Sequence, residues 1–139
     1  MNMAVQTPLT EDQSIENEIV RKGKIAARIT PADIEAAISS EHYFTAEDGM
    51  AGAFRTVGAP DGFWIAVRNG SIQIPPSLEL LTFCVLVLKN GFTVTGESAC
   101  ASPENFDEEI GRKIARQNAV QKIWPLMGYA LKDRLSKGE

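Results

Sequence analysis

Two Asn-Gly dipeptides, Asn69-Gly70 and Asn90-Gly91, each sit between alternating apolar runs. No other feature narrows the fold as much. A two-residue type I′ turn needs positive φ at both central residues, and Asn-Gly supplies them at the lowest steric cost. The first dipeptide predicts a hairpin of strands 63–68 and 71–74, with Phe63, Ile65, Val67, Ile72 and Ile74 on one face. Pro75-Pro76 stops it. The second predicts a hairpin of strands 80–89 and 92–99, with Val87 opposite Val94 and Leu86 opposite Thr95. That register puts Cys84 opposite Glu97 and Cys100 near Leu81, so the cysteines are not cross-strand partners. The run 80–88 is apolar on both faces, as a central strand covered on both sides would be. Thr93, Thr95 and Glu97 give its partner one polar face.

Helical signals flank this β-rich centre. Ile15 and Ile19 share a face at i,i+4 spacing, which predicts a short helix over 14–22 that Gly23 breaks. Residues 1–13 read as a mobile acidic tail ahead of a single domain over 14–139. Thr30 is a good N-cap, Pro31 suits the first helical position, and Asp33 and Glu35 suit the positive end of the dipole. That helix is expected to end near Ser40. Asp48-Gly49, Gly52, Gly58, Pro60 and Asp61-Gly62 make 45–62 a loop, with a short strand around 53–57. Ser102-Pro103 starts a long helix to about Ile123. Its Phe106, Ile110 and Ile114 form an apolar stripe expected to pack on the sheet. Trp124-Pro125 is expected to break the run. A second helix would then carry Met127, Leu131 and Leu135, and the pair would form a helical hairpin. The predicted class is α+β: an antiparallel sheet of two Asn-Gly hairpins, packed by a long helix and a C-terminal helical hairpin.

The composition excludes several functions. At 139 residues and 44% hydrophobic, the chain can bury a core without staples. A net charge of −4 gives no general attraction to nucleic acid and argues against that partner. Residues 1–62 hold 5 bases and 10 acids, while 63–139 hold 9 bases and 8 acids, which places any anion site in the second part. Two cysteines and one histidine make neither a disulfide framework nor a zinc site. No apolar stretch reaches the length of a membrane span, and the first ten residues lack a basic segment followed by an apolar one. The expected location is the cytoplasm.

Catalytic signatures are missing as well. His42 has no nucleophile or orienting group near it in sequence. Cys84 lies in an apolar strand and reads as a small hydrophobe. Cys100 precedes a helix start, but no histidine pairs with it. Gly96-Glu97-Ser98-Ala99 lacks the spacing and strand–turn–helix setting of a hydrolase elbow. There is no glycine-rich phosphate loop. We therefore expect no enzyme, no cofactor and no metal. One sector does carry concentrated charge: Arg112, Lys113 and Arg116 lie within about 100° of helix surface. Glu108–Arg112 and Glu109–Lys113 are favourable i,i+4 pairs, while Arg116 has no acid one turn away on its own helix. Arg112, Lys113 and Arg116 are the expected ligand-binding residues, and the expected ligand is anionic. Gln117 and Gln121 mark either the end of the apolar stripe or contact with another subunit, and Trp124 at the helix break reads as a core or interface anchor.

Several motifs resemble a family of tailed-phage proteins known by gene numbers 49 and 66 of two phages. They are Cys84-Val85-Leu86, Lys89-Asn90-Gly91-Phe92, Gly96-Glu97-Ser98, Asn105-Phe106, Gly111-Arg112-Lys113-Ile114-Ala115 and Lys122-Ile123-Trp124-Pro125-Leu126. Thr30-Pro31-Ala32-Asp33-Ile34 is similar to the family's usual start. The resemblance implies a small non-structural phage or prophage gene product in the host bacterial cytoplasm, of a kind often directed against host defence or machinery. With no catalytic set, the expectation is a non-enzymatic binding protein that sequesters a host protein or a small anionic nucleotide. The alternative is a nucleic-acid-associated accessory protein using the C-terminal helix pair, supported by the same Arg112, Lys113 and Arg116 sector plus Lys132, Arg134 and Lys137. A homodimer is expected, through the sheet or through Met127, Leu131 and Leu135.

Overall fold

The computed structural model describes residues 10–57 and 74–139. Among them are four helices and one three-stranded antiparallel sheet. In chain order these are α1 (Glu11–Arg21), α2 (Pro31–Ala37), β1 (Ile38–Thr45), α3 (Ala46–Val57), β2 (Leu81–Leu88), β3 (Thr93–Ala99) and α4 (Glu108–Ser136), with short 3-10 turns at Pro76–Leu80 and Pro103–Asn105. The class is α+β, as predicted. The first Asn-Gly hairpin, apart from Ile74, lies outside the described residues.

The chain forms two compact units. Of the described residues, one holds 10–37 together with Trp124–Glu139; the other holds 38–57 and 74–123. In the first, Thr10 caps α1 by accepting from the Gln13 amide, so the helix begins three residues earlier than expected. Thr30 and Asp33 close a reciprocal capping box on α2: the Asp33 amide donates to Thr30 Oγ1 at 3.1 Å, and the Thr30 amide donates to Asp33 Oδ2 at 2.9 Å. The Arg28 guanidinium grips Glu16 with both nitrogens, at 2.6 and 2.5 Å. Trp124 Nε1–H donates to Asp12 Oδ2 at 3.2 Å, tying that ring to the first turn of α1.

These contacts set an acid response. The Arg28 hydrogen bonds hold the Glu16 carboxyl below its ordinary range, and the Thr30 backbone and hydroxyl do the same for Asp33. Depressed carboxyls contribute stability that is present above their unfolded pKa and lost as pH falls through the folded value. An NMR titration should place the Glu16 midpoint below that of a free glutamate. Arg28→Met should return it to the ordinary range; a midpoint unmoved by that change would mean the pair does not form in solution.

The second unit is organised by β2. The strand order is β1-β2-β3, so β2 is central as its sequence requires. β1 was missed in sequence: 38–45 is a strand, and the preceding helix stops at Ala37 rather than near Ser40. Its register runs Tyr43 opposite Cys84 and Glu41 opposite Leu86, with a bulge between Ile38 and Ser40. The loop expected over 45–62, with its short strand at 53–57, is helix over Ala46–Val57; residues 58–62 lie outside the described residues. A second capping box, Thr45 with Asp48, starts α3 at 3.0 and 3.1 Å. Gly49 and Gly52 do not have positive φ, so neither interrupts the helix.

The second Asn-Gly hairpin forms with a different turn. Only Gly91 has positive φ, at 88°; Asn90 does not. The Gly91 amide donates to the Leu88 carbonyl at 2.8 Å, and the Leu88 amide donates to Phe92 at 2.8 Å. This is a three-residue loop, a tight turn followed by one left-handed glycine. The register moves by one: Leu86 faces Val94, Cys84 faces Gly96 and Phe83 faces Glu97. The predicted pairs Val87–Val94 and Cys84–Glu97 are therefore corrected. The cysteines are free and not opposite one another.

The helix over this sheet differs in phase, start and length. Asp107, not Ser102, caps it, accepting from the Ile110 amide at 3.0 Å. Its buried stripe is Gly111, Ala115, Ala119 and Ile123, whereas the predicted Ile110 and Ile114 are 55% and 43% exposed. Small residues take the buried positions because the backbones touch. A Cβ on Gly96 would overlap the Ala115 carbonyl and the Ala119 amide. α4 then runs unbroken through Pro125 to Ser136, so no helical hairpin forms.

Thr82 lies under this helix, 2% exposed, and its hydroxyl finds no partner among the described residues. A Cβ on Gly111 would come within 3.0 Å of that oxygen. A buried hydroxyl without a partner is costly, so Thr82→Val should leave stability unchanged or raise it by about 1 kcal/mol. Urea denaturation measures this, and a clear loss would reveal a hydrogen bond at Thr82.

Candidate functional site

The residues singled out for binding separate in space. α4 crosses the sheet on the face of Thr82, Cys84 and Leu86, and its β1-facing flank carries Arg112 and Arg116. Arg116 Nε donates to Glu41 Oε2 at 3.0 Å. The other oxygen of that carboxylate accepts from the Tyr43 hydroxyl at 3.1 Å. Arg112 stands over the Tyr43 ring, 5.7 Å from its centroid, a cation–π geometry. It also donates to Glu108 at 2.6 Å. Two arginines, a tyrosine and a glutamate thus form one connected cluster. Lys113 is not part of it: it points outward and pairs with Glu109 at 3.2 Å.

Arg112 and Arg116 are visible in the sequence as part of a basic helix sector, whereas their neighbours Glu41 and Tyr43 are not. The available signal was their i,i+2 spacing, which puts both on one face of a strand. That spacing has meaning only once 38–45 is a strand, and no local signal marks it as one.

The electrostatics are balanced. Arg112, Lys113 and Arg116 each meet a carboxylate, from Glu108, Glu109 and Glu41 respectively. Burial first, then Cys84 and Glu41, pushes the Tyr43 phenol up to about 12. It is therefore a neutral hydrogen-bond donor at ordinary pH. Burial also raises the Cys84 thiol, so this cysteine is a protonated packing group. The sign for Tyr43 follows: a raised phenol contributes stability below its unfolded pKa and loses it as pH rises through the folded value. An ultraviolet titration should show one tyrosine ionising near pH 12. Its disappearance in Tyr43→Phe assigns it; a phenol ionising in the ordinary range would contradict the cluster.

The other candidates lie elsewhere. His42 Nε2 is 3.0 Å from the Ser40 hydroxyl, and both are on the opposite sheet face from Tyr43. No carboxylate among the described residues bonds the His42 ring to complete a triad. Cys100 Sγ–H donates to the Ser102 carbonyl at 3.2 Å. Ser98 lies within β3 and not at a strand-to-helix turn. Among the described residues, no group of three or more His, Cys, Asp or Glu could hold a metal. Nor is any helix among them long and apolar enough to cross a membrane.

Comparison of the sequence, rather than of the fold, connects this chain to a family of phage proteins. Residues 29–135 match the phage protein family described by N4 Gp49 and phage Sf6 gene 66, and the chain belongs to that family. No curated protein and no solved structure matches it.

Proposed function

We propose that this phage-family chain is a non-enzymatic binding protein that engages a host protein in the bacterial cytoplasm, in counter-defence or host modulation. The observation that carries this reading is the cluster of Glu41, Tyr43, Arg112 and Arg116. It holds two planar guanidinium groups in place beside an aromatic ring and a carboxylate. Arginine and tyrosine are the side chains that most often dominate protein interfaces. Because each base already meets an acid, the surface offers a small free anion little net field. A protein surface carrying both signs suits it better, since complementary charges fix register and partner choice. This favours a host protein over a small anionic nucleotide.

The test is capture from host lysate with wild type and with Arg112→Gln/Arg116→Gln. Each lost charged hydrogen bond should weaken partner binding by about 1–3 kcal/mol with the fold retained. Equal recovery by both proteins would remove this face from the interaction. The nucleic-acid alternative rests on the Arg112, Lys113 and Arg116 sector, each member of which meets a carboxylate, plus Lys132, Arg134 and Lys137, of which Lys137 pairs with Asp133 at 3.0 Å. Affinity for a short DNA duplex that falls steeply with salt would favour that alternative.

A further inference from the structure

We propose that the chain self-associates as a two-fold dimer through the outward face of α4, with Ile110 and Ile114 at its centre. The stripe Gly111, Ala115, Ala119 and Ile123 turns toward the sheet, so Ile110 and Ile114 project from the other side. They are 55% and 43% exposed. At i,i+4 they form a short β-branched ridge, and exposed Gln117 and Gln121 continue the same face. Around the helix, Glu109 and Lys113 lie between this ridge and Arg112 and Arg116, so the isoleucine ridge itself is apart from the arginine cluster.

The order of charges selects a second copy as the occupant. Glu109 and Lys113 lie along one flank of the ridge, 78% and 73% exposed, and pair with each other at 3.2 Å. A two-fold axis perpendicular to α4, passing between Ile110 and Ile114, sets two copies antiparallel. Each Ile110 then meets the Ile114 of the second copy. The same operation brings each Glu109 beside the second copy's Lys113, so opposite charges close the contact twice. The exposed intrahelical pair exchanges partners without leaving a charge unmatched. The helix pair expected to supply Met127, Leu131 and Leu135 as a dimer surface does not exist, and this ridge takes that role.

Sedimentation of the full chain at rising micromolar concentration should show dimer. Ile110→Asp/Ile114→Asp should be monomeric with an unchanged circular dichroism spectrum. Glu109→Lys alone, and Lys113→Glu alone, should each self-associate about tenfold more weakly, because like charges now face one another. The decisive step mixes those two single variants. One carries bases at both positions and the other acids, so the mixture should form a heterodimer at least as readily as wild type dimerises. Neither helix regains its internal pair in the mixture, so recovery there reports contact between copies alone. A monomeric wild type would overturn the proposal, as would an aspartate variant that dimerises normally or a mixture no tighter than its components.

Discussion

Gly96→Ala should be the most damaging single-methyl change in this protein, costing about 3 kcal/mol or more, the upper end for an overpacked core. The added Cβ would overlap the Ala115 carbonyl and the Ala119 amide, both backbone atoms of α4. A flexible side chain could rotate away, but helix backbone cannot, so α4 must lift from β3. The loss then spreads to the rest of the buried stripe. The lifted helix would also strain the bond from Asn118 Nδ2 to the Glu97 carbonyl, which ties α4 to β3 at 2.8 Å. Guanidinium denaturation should show a large drop in midpoint. A midpoint close to wild type would mean that the helix does not rest on Gly96.

The second large effect tests the phase of α4. Ile123 is fully buried and Ile114 is 43% exposed. Ile123→Ala should cost about 2–5 kcal/mol through lost burial and the cavity left behind. In dilute solution, where copies are apart, Ile114→Ala should change stability by no more than about 0.5 kcal/mol. The two substitutions are chemically identical and lie on one helix, so propensity cancels in the comparison. Equal costs, or a larger cost at Ile114, would restore the stripe of Phe106, Ile110 and Ile114 that the sequence suggests.

That stripe shows where local pattern loses to tertiary context. Isoleucines at i,i+4 are an ordinary signal of a buried face, and Gly111, Ala115 and Ala119 look like filler beside them. The reverse holds here because Gly96 lets strand and helix backbones touch, and only small residues fit such a contact. The hairpin at Asn90-Gly91 carries the same lesson. The dipeptide announces a hairpin, and one forms. Whether its loop has two or three residues is decided by which face of β3 must be buried, since a one-residue slip exchanges the faces. The three-residue loop places Val94 and Gly96 beside Leu86 and Cys84 under α4.

Pro125 is a stop signal in isolation, having no N–H to offer the carbonyl four residues back. The helix nonetheless continues. Trp124 is held by Asp12 just before the proline, and Leu131 is half-buried after it. Such contacts offset a cost of about 3 kcal/mol. Thr45-x-x-Asp48 was legible as a capping box and was masked by the glycines after it. The arginines of the candidate site were visible as a helix sector, but Glu41 and Tyr43 reach them across a strand pairing that no local rule predicts. Arg116 pairs with a residue 75 positions away.

Photo-crosslinking in living host cells tests the binding face most directly. A photoreactive phenylalanine analogue would replace Glu108, which borders Arg112 on that face, or Lys132, on the far part of α4, as a control. A discrete host-protein adduct should form from position 108, be absent from position 132, and vanish when Arg112→Gln/Arg116→Gln is added. An adduct from position 132 alone, or one from position 108 that persists in the arginine variant, would place the partner elsewhere and contradict the proposed function.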